Sequence, residues 1–216
     1  MLLVVLAQAL LPSLAARRVR DRVARYGTVR SVSVSAFPAI ELLWGKAGTV
    51  NIDAGTLAVP ADRIASLLWE AHGIANVTLT ADAATLTAVP SLSRGLTVHE
   101  LRVEKRGTAV SASATLTQRQ LEEALPSGLR IEPTASGGGE VEAHASGGLF
   151  GVQASIDVLV RSREGRLVAE PRGFPLASLA SVTLFSDPHL RIDSVGVRVL
   201  RRRPLAYELS LGASLL

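Results

Sequence analysis

Two adjacent carboxylates, an Asp-Pro-His triplet, four scattered histidines and a triglycine are the places where this chain could carry chemistry. Paired carboxylates can divide acid and base roles across a scissile bond. Glu122 and Glu123, however, are neighbours on a helical segment and point in different directions. Asp187-Pro188-His189 could set an acid against an imidazole, although Asp-Pro is chiefly a turn signal. His72, His99, His144 and His189 show none of the H-x-x-x-H or H-E-x-x-H spacing that holds a metal on one helix face. No G-x-S-x-G nucleophile elbow occurs. Gly137-Gly138-Gly139 lacks the downstream Lys-Ser/Thr of a phosphate loop and reads as a hairpin connection. Asn76-Val77-Thr78 matches a glycosylation sequon, a pattern short enough to arise by chance. Cysteine is absent, which removes disulfides, thiolate metal sites and cysteine nucleophiles together. The expectation is a protein that is not an enzyme, with no catalytic residue, metal or cofactor.

Binding is easier to argue. Phe37, Ile40, Leu42, Leu43 and Trp44 crowd five large apolar side chains beside Pro38 and Gly45. In one helical turn Phe37, Ile40, Leu43 and Trp44 would share a face, leaving Glu41 and Lys46 wet. Such a face either plugs one end of a sheet or lines the mouth of an apolar cavity. The best helix runs from about Asp62 to His72, closed by Gly73. Ile64, Leu67, Leu68 and Ala71 form its apolar stripe. Trp69 falls roughly 140° from Ile64, on the flank of that stripe. It would pack against a loop, face a lipid cavity or meet a membrane surface.

The elements that must position these residues are mostly strands. Val32 and Val34 alternate with serines, and Val50-Ile52-Ala54 repeats the pattern on a return strand. Further alternating runs lie at Val77–Ala81, Leu96–Val103, Val110–Leu116, Val141–Ala145, Val152–Val160, Leu167–Ala169, Val195–Val199 and Leu205–Leu211. The alternation slips across His99-Glu100, which reads as a bulge. Thr117 and Gln120 form a capping box for a short helix through Leu125 that stops at Pro126. Gly147-Gly148 and Glu164-Gly165 read as strand connections. About ten strands with hairpin-length connections and two or three helices make an α+β fold built on a mostly antiparallel, strongly curved sheet. The helices would lie on its concave face, and a half-barrel of this kind can leave an apolar groove.

At 216 residues and 48% hydrophobic content, one domain with a full core is expected. The net charge of +4 is local. Arg17, Arg18, Arg20, Arg22 and Arg25 against Asp21 account for all of it, so a nucleic-acid partner is not expected. These arginines follow MLLVVLAQALLPSLAA, an uncharged run shorter than the ~20 residues of a membrane-spanning helix. It suits a signal-peptide core with Ser13-Leu14-Ala15 as a cleavage site, although no basic residue precedes it. The alternative is a buried N-terminal helix. A helix is expected from Leu14 to Tyr26, with Gly27 closing it. Residues 1–26 are therefore read as a signal or anchor segment with a basic helix, and residues 27–216 as one domain. If the leader stays attached, the five arginines would sit on a membrane surface beside anionic headgroups.

The block Ser31–Val59, with its V-x-V strand, Phe37-Pro38, an aliphatic turn ending at Gly45 and a return strand, resembles the actinobacterial LmeA-like phospholipid-binding family. The resemblance is specific in this block and extends over the chain only as a pattern of strands and helices. It implies a tubular lipid-binding-like fold and a non-catalytic phospholipid-binding or lipid-transfer protein of the cell envelope. The lipid would be of phosphatidylinositol type, and its carrier an exported or membrane-anchored protein. Phe37, Ile40, Leu43, Trp44, Ile64, Leu67, Leu68 and Trp69 become candidate lipid-binding residues. The other reading is an envelope structural or interaction module with a solid core and no ligand.

Overall fold

Alternation of apolar and polar side chains is carried through into twelve strands, β1 (Gly27–Ser35), β2 (Ala47–Pro60), β3 (Ile74–Thr87), β4 (Leu96–Arg106), β5 (Ala109–Thr117), β6 (Leu129–Gly137), β7 (Glu140–Leu149), β8 (Val152–Arg163), β9 (Arg166–Pro171), β10 (Val182–Phe185), β11 (Leu190–Arg202) and β12 (Leu205–Leu215). Among the described residues three helices accompany these strands: α1 (Leu2–Val23), α2 (Ala61–Glu70) and α3 (Gln118–Ala124). The computed structural model describes residues 2–36, 42, 46–89, 92–149, 152–173, 181–202 and 204–216. Phe37, Ile40, Leu43 and Trp44 lie outside the described residues.

The strands form two sheets rather than one. Seven run in the order β1-β2-β3-β4-β5-β12-β11, and five in the order β10-β9-β8-β7-β6. Neither sheet closes on itself. Alternation reports which face of a strand is buried but not which strand lies beside it, so this partition has no signature in the pattern. Every pairing is antiparallel except β2 with β3, which run parallel from Ala47↔Ile74 to Pro60↔Thr87. The departure follows from α2, because a strand–helix–strand crossover returns the chain in the same direction. The five-stranded sheet is an insertion: it occupies the chain between β5 and β11, and β12 then pairs with β5.

Hairpin turns of the second sheet meet the outer strand of the first. The β11 amides of Ile192 and Val195 donate to Gly165 O at 2.8 Å and Gly139 O at 3.0 Å, and Val197 N donates to Ser136 Oγ at 3.0 Å. Ser162 Oγ in turn donates to Ile192 O at 2.5 Å. An edge strand that would otherwise offer unpaired amides is thus covered by groups from its own molecule.

Inward-facing positions step by three residues rather than two between Ala54 and Leu57, Ala81 and Ala84, and Val98 and Leu101. Pairing sets these slips side by side across β2, β3 and β4, so they form one crease. Glu100, at φ 51°, is the extra residue in β4, as the slip at His99-Glu100 implies. The backbone groups freed in β2 are taken up by β1. Thr56 N donates to Thr28 Oγ1 at 2.9 Å, and Arg30 Nη2 donates to Ala54 O at 2.8 Å and to Asp82 Oδ1 at 2.6 Å. Gly27 lies so close to β2 that a Cβ there would sit 1.9 Å from Thr56 O. It therefore opens β1 instead of closing a helix.

Other local expectations are met or displaced for physical reasons. The Thr117–Gln120 capping box is present in both directions. Glu164-Gly165 makes its two-residue turn with φ 53° and 78°, the twist that suits a hairpin. Gly147-Gly148 does not end a strand: both pair within β7, and the chain reverses between Leu149 and Val152. α1 runs unbroken from Leu2 through Pro12 to Val23, so the helix expected to start at Leu14 begins at least twelve residues earlier.

One face of the second sheet carries an ionic cluster around the buried Glu170. Glu170 accepts from Arg161 Nη2 at 2.7 Å and from Arg163 Nη1 at 3.1 Å. Burial works to raise its pKa, but the two guanidiniums together hold it below the usual carboxylate range. A depressed pKa stabilises the fold above the unfolded value and loses that contribution as pH falls through the folded one. Stability should therefore fall as pH drops below about 4.5, the ordinary glutamate value. In Glu170→Gln the change of the urea midpoint between about pH 5 and about pH 3 should be shallower than in wild type. An unchanged slope would mean that Glu170 is not held ionised by the arginines.

Candidate functional site

α2 starts directly from β2. Pro60 occupies its N-cap with φ −62° and ψ 134°, making no side-chain cap bond, and Asp62 lies in the first turn. An acid there complements the positive end of the helix dipole. Of its ten residues only Ala65 is fully buried, against Val110, Leu190, Ile192, Ala213 and Leu215. The centre of contact thus lies one residue past Ile64, and Leu68 joins it one turn later.

The rest of the expected stripe is not sealed. Ile64, Leu67 and Leu68 are each half-buried. Trp69, at 39% exposure, follows them on the surface. Its indole meets the tilted rings of His72 and His189, with ring centroids 5.7 Å and 5.0 Å away. α2 therefore brings Ile64, Leu67, Leu68 and Trp69 together on one element.

The five arginines divide by role. Arg20 Nη2 donates to Arg30 O at 3.0 Å, and Arg22 Nη1 pairs with Glu70 Oε2 at 2.7 Å, which ties α1 to β1 and to the end of α2. Arg17, Arg18 and Arg25 are exposed and make no ion pair among the described residues. Among the described residues no helix is long and apolar enough to cross a membrane.

The acid–base candidates stay as separate pairs. Asp187 Oδ1 accepts the His189 amide at 2.8 Å, which makes the triplet a turn, and the His189 imidazole Nδ1 lies 3.5 Å from the same oxygen. His144 Nδ1 faces Asp157 Oδ1 at 2.8 Å on an exposed strand face. His99 Nε2 lies 2.7 Å from Gln120 Nε2. Glu123 pairs with Arg119 and Glu122 with Arg130. Among the described residues no group of three His, Asp or Glu side chains could hold a metal ion.

Two of the open clefts among the described residues are notable, and neither is lined by a candidate lipid-binding residue. One, of about 410 Å³, lies between the end of α3 and the β6–β7 pair, beside Glu122, Pro126, Leu129, Arg130 and Ser146. The other, of about 430 Å³, lies on the outer face of the first sheet among Arg102, Glu104, Ser111, Ser113, Ser194 and Ser210. The first is lined more by polar than by apolar surface, and the second by both about equally.

One further side chain is readable from its position in the sequence and easily missed for its type. In β4, Leu101, Val103 and Lys105 alternate, which places Lys105 on the buried face. Lys105 is 1% exposed, and its Nζ donates to Ile74 O at 2.5 Å. Burial pushes its pKa down. No family model matches the chain, and no curated protein or solved structure is significantly similar to it.

Proposed function

We propose that this protein is a non-catalytic phospholipid carrier of the cell envelope, holding acyl chains between α2 and the inner face of the seven-stranded sheet. The observation that carries the reading is the half-buried state of Ile64, Leu67 and Leu68 beside the exposed Trp69. Large apolar side chains left partly uncovered along one helix can close over an acyl chain. The crease across β2–β4 supports a curved sheet, since bulges bend strands, with α2 on its concave side. In this reading α1 takes the chain out of the cytoplasm, or stays at the membrane with Arg17, Arg18 and Arg25 facing anionic headgroups. The resemblance of Ser31–Val59 to LmeA-like proteins adds weight to a lipid of phosphatidylinositol type.

A second reading has its own observation. The inner face is filled by small side chains in close contact, with Ala54, Ala81 and Ala84 all at most 4% exposed. That is the packing of a solid core, and it suits a structural or interaction module without a ligand.

Native mass spectrometry of protein purified without detergent separates the two: a carrier leaves the cell holding phospholipid. Leu67→Gln sharpens the result. In a groove the amide lies among acyl chains, costs about 1–3 kcal/mol of binding and lowers lipid occupancy. Apo stability then stays close to wild type. In a solid core the same change instead lowers the melting temperature of protein that never carried lipid, and that outcome would remove the carrier reading.

A further inference from the structure

Lys105 is the penultimate residue of β4, at the end of the inner face where β3 begins. Val77 and Val110 pair on either side of it. An ammonium group carries three N–H donors, and among the described residues only the Ile74 carbonyl accepts one. Among the described residues no carboxylate lies within ion-pair distance of Nζ. A buried ammonium without a counter-charge is costly, so it either loses its proton or meets an anion. The same end of the sheet gathers the close of α2 and the start of β2. Ile74 N donates to Ala71 O at 3.0 Å, and Ala47 N donates to Gly73 O at 3.3 Å. Leu68 and Trp69 belong to the last turn of α2, directly before that turn. An acyl chain lying along α2 would bring its polar end here.

We propose that Lys105 is the binding residue for the phosphate of a net-anionic phospholipid, its Nζ supplying the counter-charge at the polar end of the groove. This rests on the carrier reading, and it assigns the residue that would meet the headgroup phosphate. Lowered basicity of the free amine fits a site completed by its ligand, because an arriving phosphate restores the charged form. The competing role is a strut that only holds the α2–β3 turn through Ile74 O.

The test incubates full-length protein with vesicles of equal phosphatidylcholine and phosphatidylglycerol and reads the captured lipid by native mass spectrometry. Wild type should be enriched in phosphatidylglycerol by about tenfold, the effect of one charge-assisted contact. Lys105→Met, which keeps the stem, should capture as much lipid at the vesicle ratio, and Lys105→Arg should retain the enrichment. Equal composition in wild type and Lys105→Met overturns the proposal and leaves the carrier reading intact. Capture of no lipid by wild type defeats the carrier reading itself. A parallel titration with inorganic phosphate then decides whether a free phosphate is the ligand: a rise in the melting temperature of wild type but not of Lys105→Met supports an anion site, and no rise overturns it. Should Lys105→Met not fold, the Lys105 Nζ resonance of wild type decides the matter. It should move on loading with phosphatidylglycerol and not with phosphatidylcholine, and its failure to move overturns the assignment.

Discussion

Tyr207→Ala should cost about 3–5 kcal/mol of stability, the range for emptying a large aromatic site in a core. Tyr207 is 1% exposed on β12 and packs with Leu57, Val98, Ala114 and Leu116. Its hydroxyl donates to Gln118 Oε1 at 2.9 Å, and Gln118 Nε2 donates on to Ile131 O at 3.1 Å. One side chain therefore joins the first sheet to α3 and, through it, to β6. In a chain of this length the loss should lower the melting temperature by about 6–20 °C. Tyr207→Phe keeps the ring and strips Gln118 of its donor, so about 1–3 kcal/mol is expected. Urea unfolding of the two variants side by side checks the ordering. Equal small losses would place Tyr207 outside the core.

Gly27→Ala should be nearly as damaging although it adds one carbon. That carbon would lie 1.9 Å from Thr56 O and 2.8 Å from Thr56 C, both of them backbone atoms that no rotamer change can move aside. β1 must retreat, which stretches the 2.6 Å bond from Ala58 N to Tyr26 O and the bond from Thr56 N to Thr28 Oγ1. A loss of about 3 kcal/mol is expected, at the upper end for overpacking. Gly137→Ala is the control, with nothing within 4 Å of its added carbon. It should stay within about 0.5 kcal/mol of wild type. Comparable midpoints for the two variants would show that β1 is free to slide at the crease.

What can be read from the sequence depends on whether the signal is local. The Thr117–Gln120 cap, the Glu164-Gly165 turn and the slip at His99-Glu100 each rest on a few neighbouring residues, and each is present. β6 escapes the pattern because Pro133 cannot donate to a ladder and so argues against a strand. It is tolerated because β6 is the outer strand of its sheet. The parallel β2–β3 pair and the split into two sheets are relations between distant segments, and alternation carries no record of them. Along α2, hydropathy favours Ile64 and Leu67 as the contact line, whereas the fully buried position is the smaller Ala65. Lys105 shows the opposite case: its inward position follows from Leu101 and Val103, but a positive charge ordinarily marks a solvent-facing position.

The insertion of the five-stranded sheet between β5 and β12 has a consequence for synthesis. β5 ends at Thr117 and its partner β12 begins only at Leu205. At translation rates of about 5–20 residues per second, β5 waits on the order of 5–20 s with its edge unpaired. During that interval the β6–β10 segment can fold from contacts within itself, while the larger sheet cannot be completed. Its hairpin turns also have no β11 to bond until the same C-terminal residues emerge. Nascent chains stalled before Leu205 should therefore be the species most prone to edge-to-edge association and most dependent on a holding chaperone.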